Sequence, residues 1–185
     1  TPNPDSANGE APDTQSNRTV DFGFVGAVAI GNVVWFDTGA GANYNNGIFD
    51  TDEGGVNGVT VQLFTAAGVE VPIGPDGILG TLDDAPGGMV TSGGGYYSFD
   101  RLIPGNYYVY IPAAEFQAGG QLYTYLSSSD SVPATTSQTA DNNADENGID
   151  GTPANPLTVN GIRTLTYTLT PGAMPTGEGQ SNYAG

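Results

Sequence analysis

Nearly all the side chains of this sequence that could do chemistry are carboxylates and carboxamides, and they gather in three loops that also carry glycine. The first, Asp37 to Gly55 (DTGAGANYNNGIFDTDEGG), opens on Asp37 and sets Asn43 and Asn45 two residues apart. It turns at Asn46 and Gly47, offers a carbonyl from Ile48 or Phe49, and ends on Asp50 and Glu53. The second, Gly74 to Ala85 (GPDGILGTLDDA), places Asp76 before a glycine turn and brings back Asp83 and Asp84. The third, Asp141 to Gly151 (DNNADENGIDG), sets Asn143, Asp145 and Asn147 at alternate positions before Gly148, with Asp141 and Asp150 near its ends. Oxygen-bearing side chains around a glycine turn are what a hard cation needs to collect its roughly six to eight oxygens, and Ca2+ is the natural candidate.

The third loop follows the spacing of an EF-hand loop through its glycine but has no glutamate in the twelfth place, so Asp141 or Asp150 would have to substitute. A simpler reading competes in each loop, because Asn, Asp and Gly crowd turns for backbone reasons and acidic loops are commonly just solvated. Charge tips the balance toward cations. The chain carries 20 acidic residues against Arg18, Arg101 and Arg163, with no lysine or histidine, for a formal net charge of -17. Such a surface repels nucleic acid and anionic membranes, and it repels itself unless cations sit among the carboxylates.

The same inventory excludes several chemistries. Without cysteine there are no disulfides, thiolate metal sites or thiol nucleophiles, and without histidine no Ser-His-Asp set. Two carboxylates across a cleft, as in glycoside hydrolysis, are the remaining catalytic option; acid pairs such as Asp83 and Asp84 are adjacent and sit in turns, so the expectation is that the chain is not an enzyme. No apolar run approaches the roughly 20 residues needed to span a bilayer, so a signal or anchor is expected outside this stretch.

The elements that must hold these loops read as short strands. Residues 1 to 17 are rich in Pro, Asn, Asp and Ser and read as a linker. In Arg18 to Val25 (RTVDFGFV), Val20, Phe22 and Phe24 alternate with polar or small residues, the period of a half-buried strand. Further strands are expected at Ala27 to Phe36, Val59 to Thr65, Val69 to Ile73, Met89 to Thr91, Tyr96 to Phe99, Tyr107 to Ile111 and Leu122 to Leu126. Arg163 to Thr170 (RTLTYTLT) shows the cleanest alternation, with Leu165, Tyr167 and Leu169 on one face. No helical period competes. With 37% apolar residues to build a core, and 29 glycines and 13 prolines between short strands, the architecture expected is an all-β, antiparallel, immunoglobulin-like β-sandwich. Trp35 and the tyrosines read as core and cross-strand packing rather than as a sugar-binding platform.

The segments AIGNVVWFD (from Ala29), NNGIFDTDEGGVNGVTVQLF and GGGYYSFDRLIPGNYYVYIP together resemble the B-type repeats of serine-aspartate repeat adhesins, which belong with the collagen-adhesin B-type domains. The resemblance runs from about Ala27 to Thr170. It implies a prealbumin-like sandwich with long calcium-binding loops that acts as a stiff spacer or stalk, with metal ligands in the Asp50 and Glu53 loop and in DNNADENGIDG. It also implies an extracellular place, on a cell surface or in a secreted filament. Related domains often carry a lysine to asparagine crosslink, which a chain without lysine cannot form.

One feature departs from that pattern: RTVDFGFV resembles the last strand of such a domain yet precedes the first. The organisation expected is therefore residues 1–25 as linker plus a strand belonging to a neighbour, 26–172 as the sandwich, and 173–185 as a linker onward. Either the chain is one period of a tandem polypeptide, or Val20, Phe22 and Phe24 enter the sandwich of a separate identical subunit by strand complementation. Both give a linear head-to-tail polymer; the competing possibility is that the strand folds back on its own domain. The expected function is thus a structural subunit of a calcium-stabilised fibre or stalk, with a ligand-binding adhesin module, recognising a host protein or polysaccharide, as the alternative.

Overall fold

The computed structural model describes residues 22–128, 148–149 and 156–173, so Val20 and the third loop's Asp141, Asn143, Asp145, Asn147 and Asp150 lie outside the described residues. The strands are β1 (Val28–Val33), β2 (Trp35–Phe36), β3 (Gly54–Gly55), β4 (Thr60–Thr65), β5 (Met89–Val90), β6 (Tyr96–Leu102), β7 (Gly105–Ile111), β8 (Ile162–Arg163) and β9 (Tyr167–Leu169). All of their pairings are antiparallel. The fold is the all-β, immunoglobulin-like sandwich that the alternation of the sequence predicts.

One sheet runs in the order β5-β4-β7-β8, with β9 also on β7, while β1 pairs with β6 in a second sheet. The layers meet through alternate residues, as the two-residue period of a strand requires. Val61 and Leu63 from β4, and Tyr107 and Val109 from β7, face Val28, Phe99 and Leu102 of the other layer. Val61, Leu63, Phe99 and Leu102 are wholly buried. Burying each such side chain stabilises the fold by roughly 1.5–3 kcal/mol before entropy is counted.

A bulge sets the shape of the β1–β6 layer. Val28 pairs with Leu102 and Ile30 with Phe99, so Asp100 and Arg101 stand opposite the single residue Ala29. Arg101 takes up a left-handed conformation (φ 56°). Asp100 is thereby freed to pair outward, donating its N–H to the Gly77 carbonyl at 2.7 Å and accepting from Leu79 N–H at 3.1 Å, which ties the second acidic loop to this layer.

Several sequence expectations change in detail. Leu122 to Leu126 is a set of turns rather than a strand, because the Leu122 N–H reaches back to the Glu115 carbonyl and Tyr125 N–H to that of Leu122. The Val69 to Ile73 stretch forms an isolated bridge, Glu70 with Phe64, instead of a named strand. Arg163 to Thr170 is broken in two: the Thr164 hydroxyl accepts from Val109 N–H, and Leu165 is exposed, leaving Tyr167 and Leu169 facing inward. A single helical turn, α1 (Leu157–Asn160), appears where no helical period was evident. Phe22 to Val25, the described part of the expected first strand, is neither paired nor covered by any other described residue. Among the described residues no helix is long and apolar enough to cross a membrane.

Candidate metal centre

The neck of the first acidic loop is made of backbone. Trp35 and Phe36 of β2 pair with Gly55 and Gly54 of β3, so Asp37 leaves the neck on one side as Glu53 enters it on the other. This close approach needs glycine: a Cβ on Gly55 would lie 1.7 Å from the Gly94 carbonyl oxygen, and one on Gly95 would lie 2.2 Å from that of Val34. The Asn57 side chain fastens the arrangement by accepting from Gly94 N–H at 2.9 Å and Gly95 N–H at 2.8 Å. Below the neck, buried Thr91 donates to the Val56 carbonyl at 2.6 Å and accepts from Val59 N–H at 3.0 Å.

Aromatic contacts carry the loop from there. Phe49 packs on Trp35 with ring centroids 5.6 Å apart, which pins the far side of the loop to β2. Phe36 stacks on Tyr125 at 4.2 Å, which brings Ser128 over the loop so that its hydroxyl donates to Asp37.

Asp37, Asn46, Asp50 and Glu53 are all half-buried in this loop and share one network. Asp37 accepts from Asn46 N–H at 3.2 Å and Gly47 N–H at 2.7 Å. Glu53 uses both oxygens, one for Gly39 N–H at 2.9 Å and one for Asp50 N–H at 3.0 Å. The Asn46 amide donates to Asp50 at 2.9 Å. The Asp37 and Glu53 carboxyls also lie within hydrogen-bonding reach of each other. Burial pushes the Asp37 carboxyl up, but the Ser128 hydroxyl and the Gly47 and Asn46 N–H groups outweigh it and hold the group below its ordinary value of 3.8.

Asn43 and Asn45 are placed differently. Asn43 donates at 2.9 Å to Asp52, a residue the spacing argument passed over, while exposed Asn45 occupies the left-handed turn (φ 52°). Asp52 also accepts from Ala40 N–H at 2.9 Å, and that bond together with the Asn43 amide keeps its carboxyl below the ordinary value. Asp52 and Ser128 are thus the two anchoring residues that sequence reasoning missed. Asp52 stands beside Glu53 and was visible as a carboxylate, whereas nothing local marks Ser128, whose partner is distant in the chain.

The second loop is built more locally. Asp76 caps Ile78 N–H at 2.8 Å, and Asp84 caps Gly80 N–H at 2.8 Å and Thr81 N–H at 3.3 Å. Asp83 accepts the Thr81 hydroxyl at 2.6 Å, the main reason its carboxyl is held below the ordinary value, and it lies within hydrogen-bonding reach of Asp76. Asp76 and Asp83 are exposed, unlike Asp37, Asp50 and Glu53 of the first loop.

Residues 28–166 match the family described as SdrD B-like domain, three quarters of the chain. The chain belongs to the SdrD B-like domain family. Among curated proteins this domain is similar to Colossin-B of Dictyostelium discoideum, 33% identical over 89 residues, which covers 48% of this chain and 2% of that protein. The chain therefore spans a very small part of that relative's length.

Among the described residues no group of three acidic side chains meets as a closed metal site would require. What the SdrD B-like domain does bring together is the Asp37–Glu53 pair, with Asn46 and Asp50 joined to it, a donor set made only of oxygen and amide groups. Its chemistry fits a hard cation completed by backbone carbonyls or water.

Proposed function

We propose that this domain is a calcium-stiffened structural unit of an extracellular fibre or stalk, joined head to tail to identical units, with a mechanical rather than catalytic role. The observation that carries the proposal is the convergence of two carboxyls, Asp37 and Glu53, at a half-buried loop neck with no arginine among their hydrogen-bond partners in the described residues. Like charges so close stabilise nothing by themselves, and a divalent cation is the species that turns their proximity into a brace. When bound there, calcium would supply the positive charge this chain of net charge -17 lacks. The protein's own part is to present Asp37 and Glu53 across the glycine neck and to hold Asp50 through Asn46. Membership in a family of adhesin-type repeat domains supports the surface setting.

Thermal unfolding of the 185-residue chain with calcium and then with excess chelator, with light scattering on the same samples, tests this reading. A cation bound at 100 times its Kd raises stability by about 2.7 kcal/mol, which for a domain of this size shifts Tm by roughly 5–10 °C. A chelator-insensitive monomer would overturn it.

A second reading, a ligand-binding adhesin module, rests on the outer face of the larger sheet. Phe64 stacks on Tyr108 at 5.3 Å and meets Tyr110 edge-on at 5.7 Å, and the Arg163 guanidinium lies 5.0 Å over Tyr108. Beside them is a cleft of about 320 Å³ lined in part by Tyr110, Asn160 and Arg163. Aromatic faces with a guanidinium suit a sugar or an acidic peptide. Binding of a polysaccharide or host protein to a single unit in solution, lost in Tyr108→Ala, would favour this reading over the spacer.

A further inference from the structure

Among the described residues β1, six residues long, ends its sheet with one side open. β1 pairs with β6 on one side, and among the described residues no backbone group bonds its other side. An unpaired strand edge is a template for another strand, and proteins normally blunt such edges with charge, proline or a covering loop. β1 (VAIGNV) carries neither charge nor proline, in a chain with 20 acidic residues. Its six residues run about 20 Å, long enough to receive a full strand. Ile30 is only partly buried although it packs against the core, and β9 of the facing sheet approaches β1 on this flank.

The same chain exposes a segment with the matching chemistry. Phe22 is 81% exposed, Phe24 95% and Val25 70%, so none of the described residues covers them. The chain leaves β1 past Gly26, whose missing Cβ would sit 3.0 Å from Pro171 just beyond β9. Phe22 to Val25 does not turn back to pair with β1.

We infer that the bare edge of β1, on the flank shared with β9, receives the Phe22–Val25 segment of a second copy of this domain. Backbone hydrogen bonds along β1 supply affinity, and alternate apolar side chains supply register. With Val28 and Ile30 pointing into the core, an added strand places Phe22 and Phe24 between the layers beside them and leaves Gly23 outward, in line with Ala29 and Gly31. The inference rests on the head-to-tail reading above and adds the acceptor site that reading leaves unspecified.

Cysteine crosslinking tests it directly, because the chain has no thiol of its own. Gly23→Cys is made in one preparation, where a side chain meets nothing within 4 Å, and Ala29→Cys or Gly31→Cys in another. The preparations are mixed and oxidised, alongside a control pairing of Gly23→Cys with Thr81→Cys in the second acidic loop. The expected result is a disulfide heterodimer at least about tenfold more abundant than the control, from the raised effective concentration of paired strands. Hydrogen exchange supplies the second readout: β1 amides become protected in multimers, and Phe22→Asp with Phe24→Asp removes that protection. Multimers by light scattering with no excess crosslink and unprotected β1 amides would overturn the edge inference while leaving the head-to-tail reading standing. A monomer at all concentrations with no crosslink would overturn both.

Discussion

The two described acidic loops hold similar residues but use them in different ways. In the first, carboxylates reach across the fold: Asp37 accepts from Ser128 as well as from its own loop, and Glu53 accepts from Gly39 on the other side of the neck. In the second, Asp76, Asp83 and Asp84 satisfy N–H and hydroxyl groups two to four residues away. A carboxylate that joins distant segments has a structural consequence when altered or neutralised. One that closes its own turn does little beyond that turn, and in solvent its contribution is screened. Acid content, four residues in the first loop and three in the second, barely separates them, and geometry does.

The largest effect should come from Asp37→Ala. It strips acceptors from Ser128, Gly47 and Asn46 at a half-buried site, a loss on the order of 2–3 kcal/mol, and melting curves should fall by roughly 5–10 °C. The same change should abolish any calcium-dependent rise in Tm. If the calcium response survives intact in Asp37→Ala, the cation sits elsewhere and the contrast between the loops loses its functional meaning.

Ser128→Ala sharpens the comparison, since it removes only the long-range partner. The cost should be about 1 kcal/mol, with the calcium response retained because Asp37 and Glu53 remain in place. A loss as large as that of Asp37→Ala would mean that the hydroxyl, rather than the loop N–H groups, holds the carboxylate.

Proton linkage gives a third comparison. Asp37, Asp52 and Asp83 all have folded values below the ordinary 3.8, so the unfolded chain binds protons more readily than the folded one. Their contribution to stability is complete above that value and is lost as pH falls through the folded values. In chelator, Tm should hold steady down to about pH 5 and decline below about pH 4. Asp37→Ala should flatten the decline more than Asp83→Ala; equal flattening would contradict the assignment of the stronger anchoring to the first loop.

How much of this was legible in the sequence varies by element. Strands with aromatic or branched alternation, such as Val59 to Thr65 and Tyr107 to Ile111, fall within a residue or two of β4 and β7, because both faces of each have a definite environment. Leu122 to Leu126 misled because of its apolar composition: only Leu122 is buried, and Glu115 draws the segment into turns by accepting N–H groups from Gln121 and, through its carbonyl, Leu122. Tyr96 to Phe99 extends to Leu102 through a left-handed Arg101 that no periodicity signals. In the candidate site, spacing drew attention to Asp37, Asp50 and Glu53 as a loop, and the fold brings them to one network. It could not show that Asn43 would turn to Asp52, or that Ser128 would arrive by way of the Phe36–Tyr125 stack, since both depend on packing between segments.

The smallest effect should belong to Asp83→Ala. The Thr81 hydroxyl that donates to Asp83 also has the Ile78 carbonyl at 3.2 Å and Asp84 at 3.3 Å as alternative acceptors, so it keeps a partner when Asp83 is gone. The loop itself is closed by backbone: Gly74 N–H donates to the Ala85 carbonyl at 3.2 Å, and a Cβ on Gly74 would lie 2.5 Å from the Asp83 carbonyl oxygen. Gly74 also has a φ of 73°, which disfavours any other residue. Gly74→Ala should therefore lower Tm more than Asp83→Ala, whose melting curve should match the parent with calcium and with chelator alike. The reverse order, with a calcium response lost in Asp83→Ala, would make the second loop a cation site in its own right and show that solvent exposure is no guide to which acids in this domain bind metal.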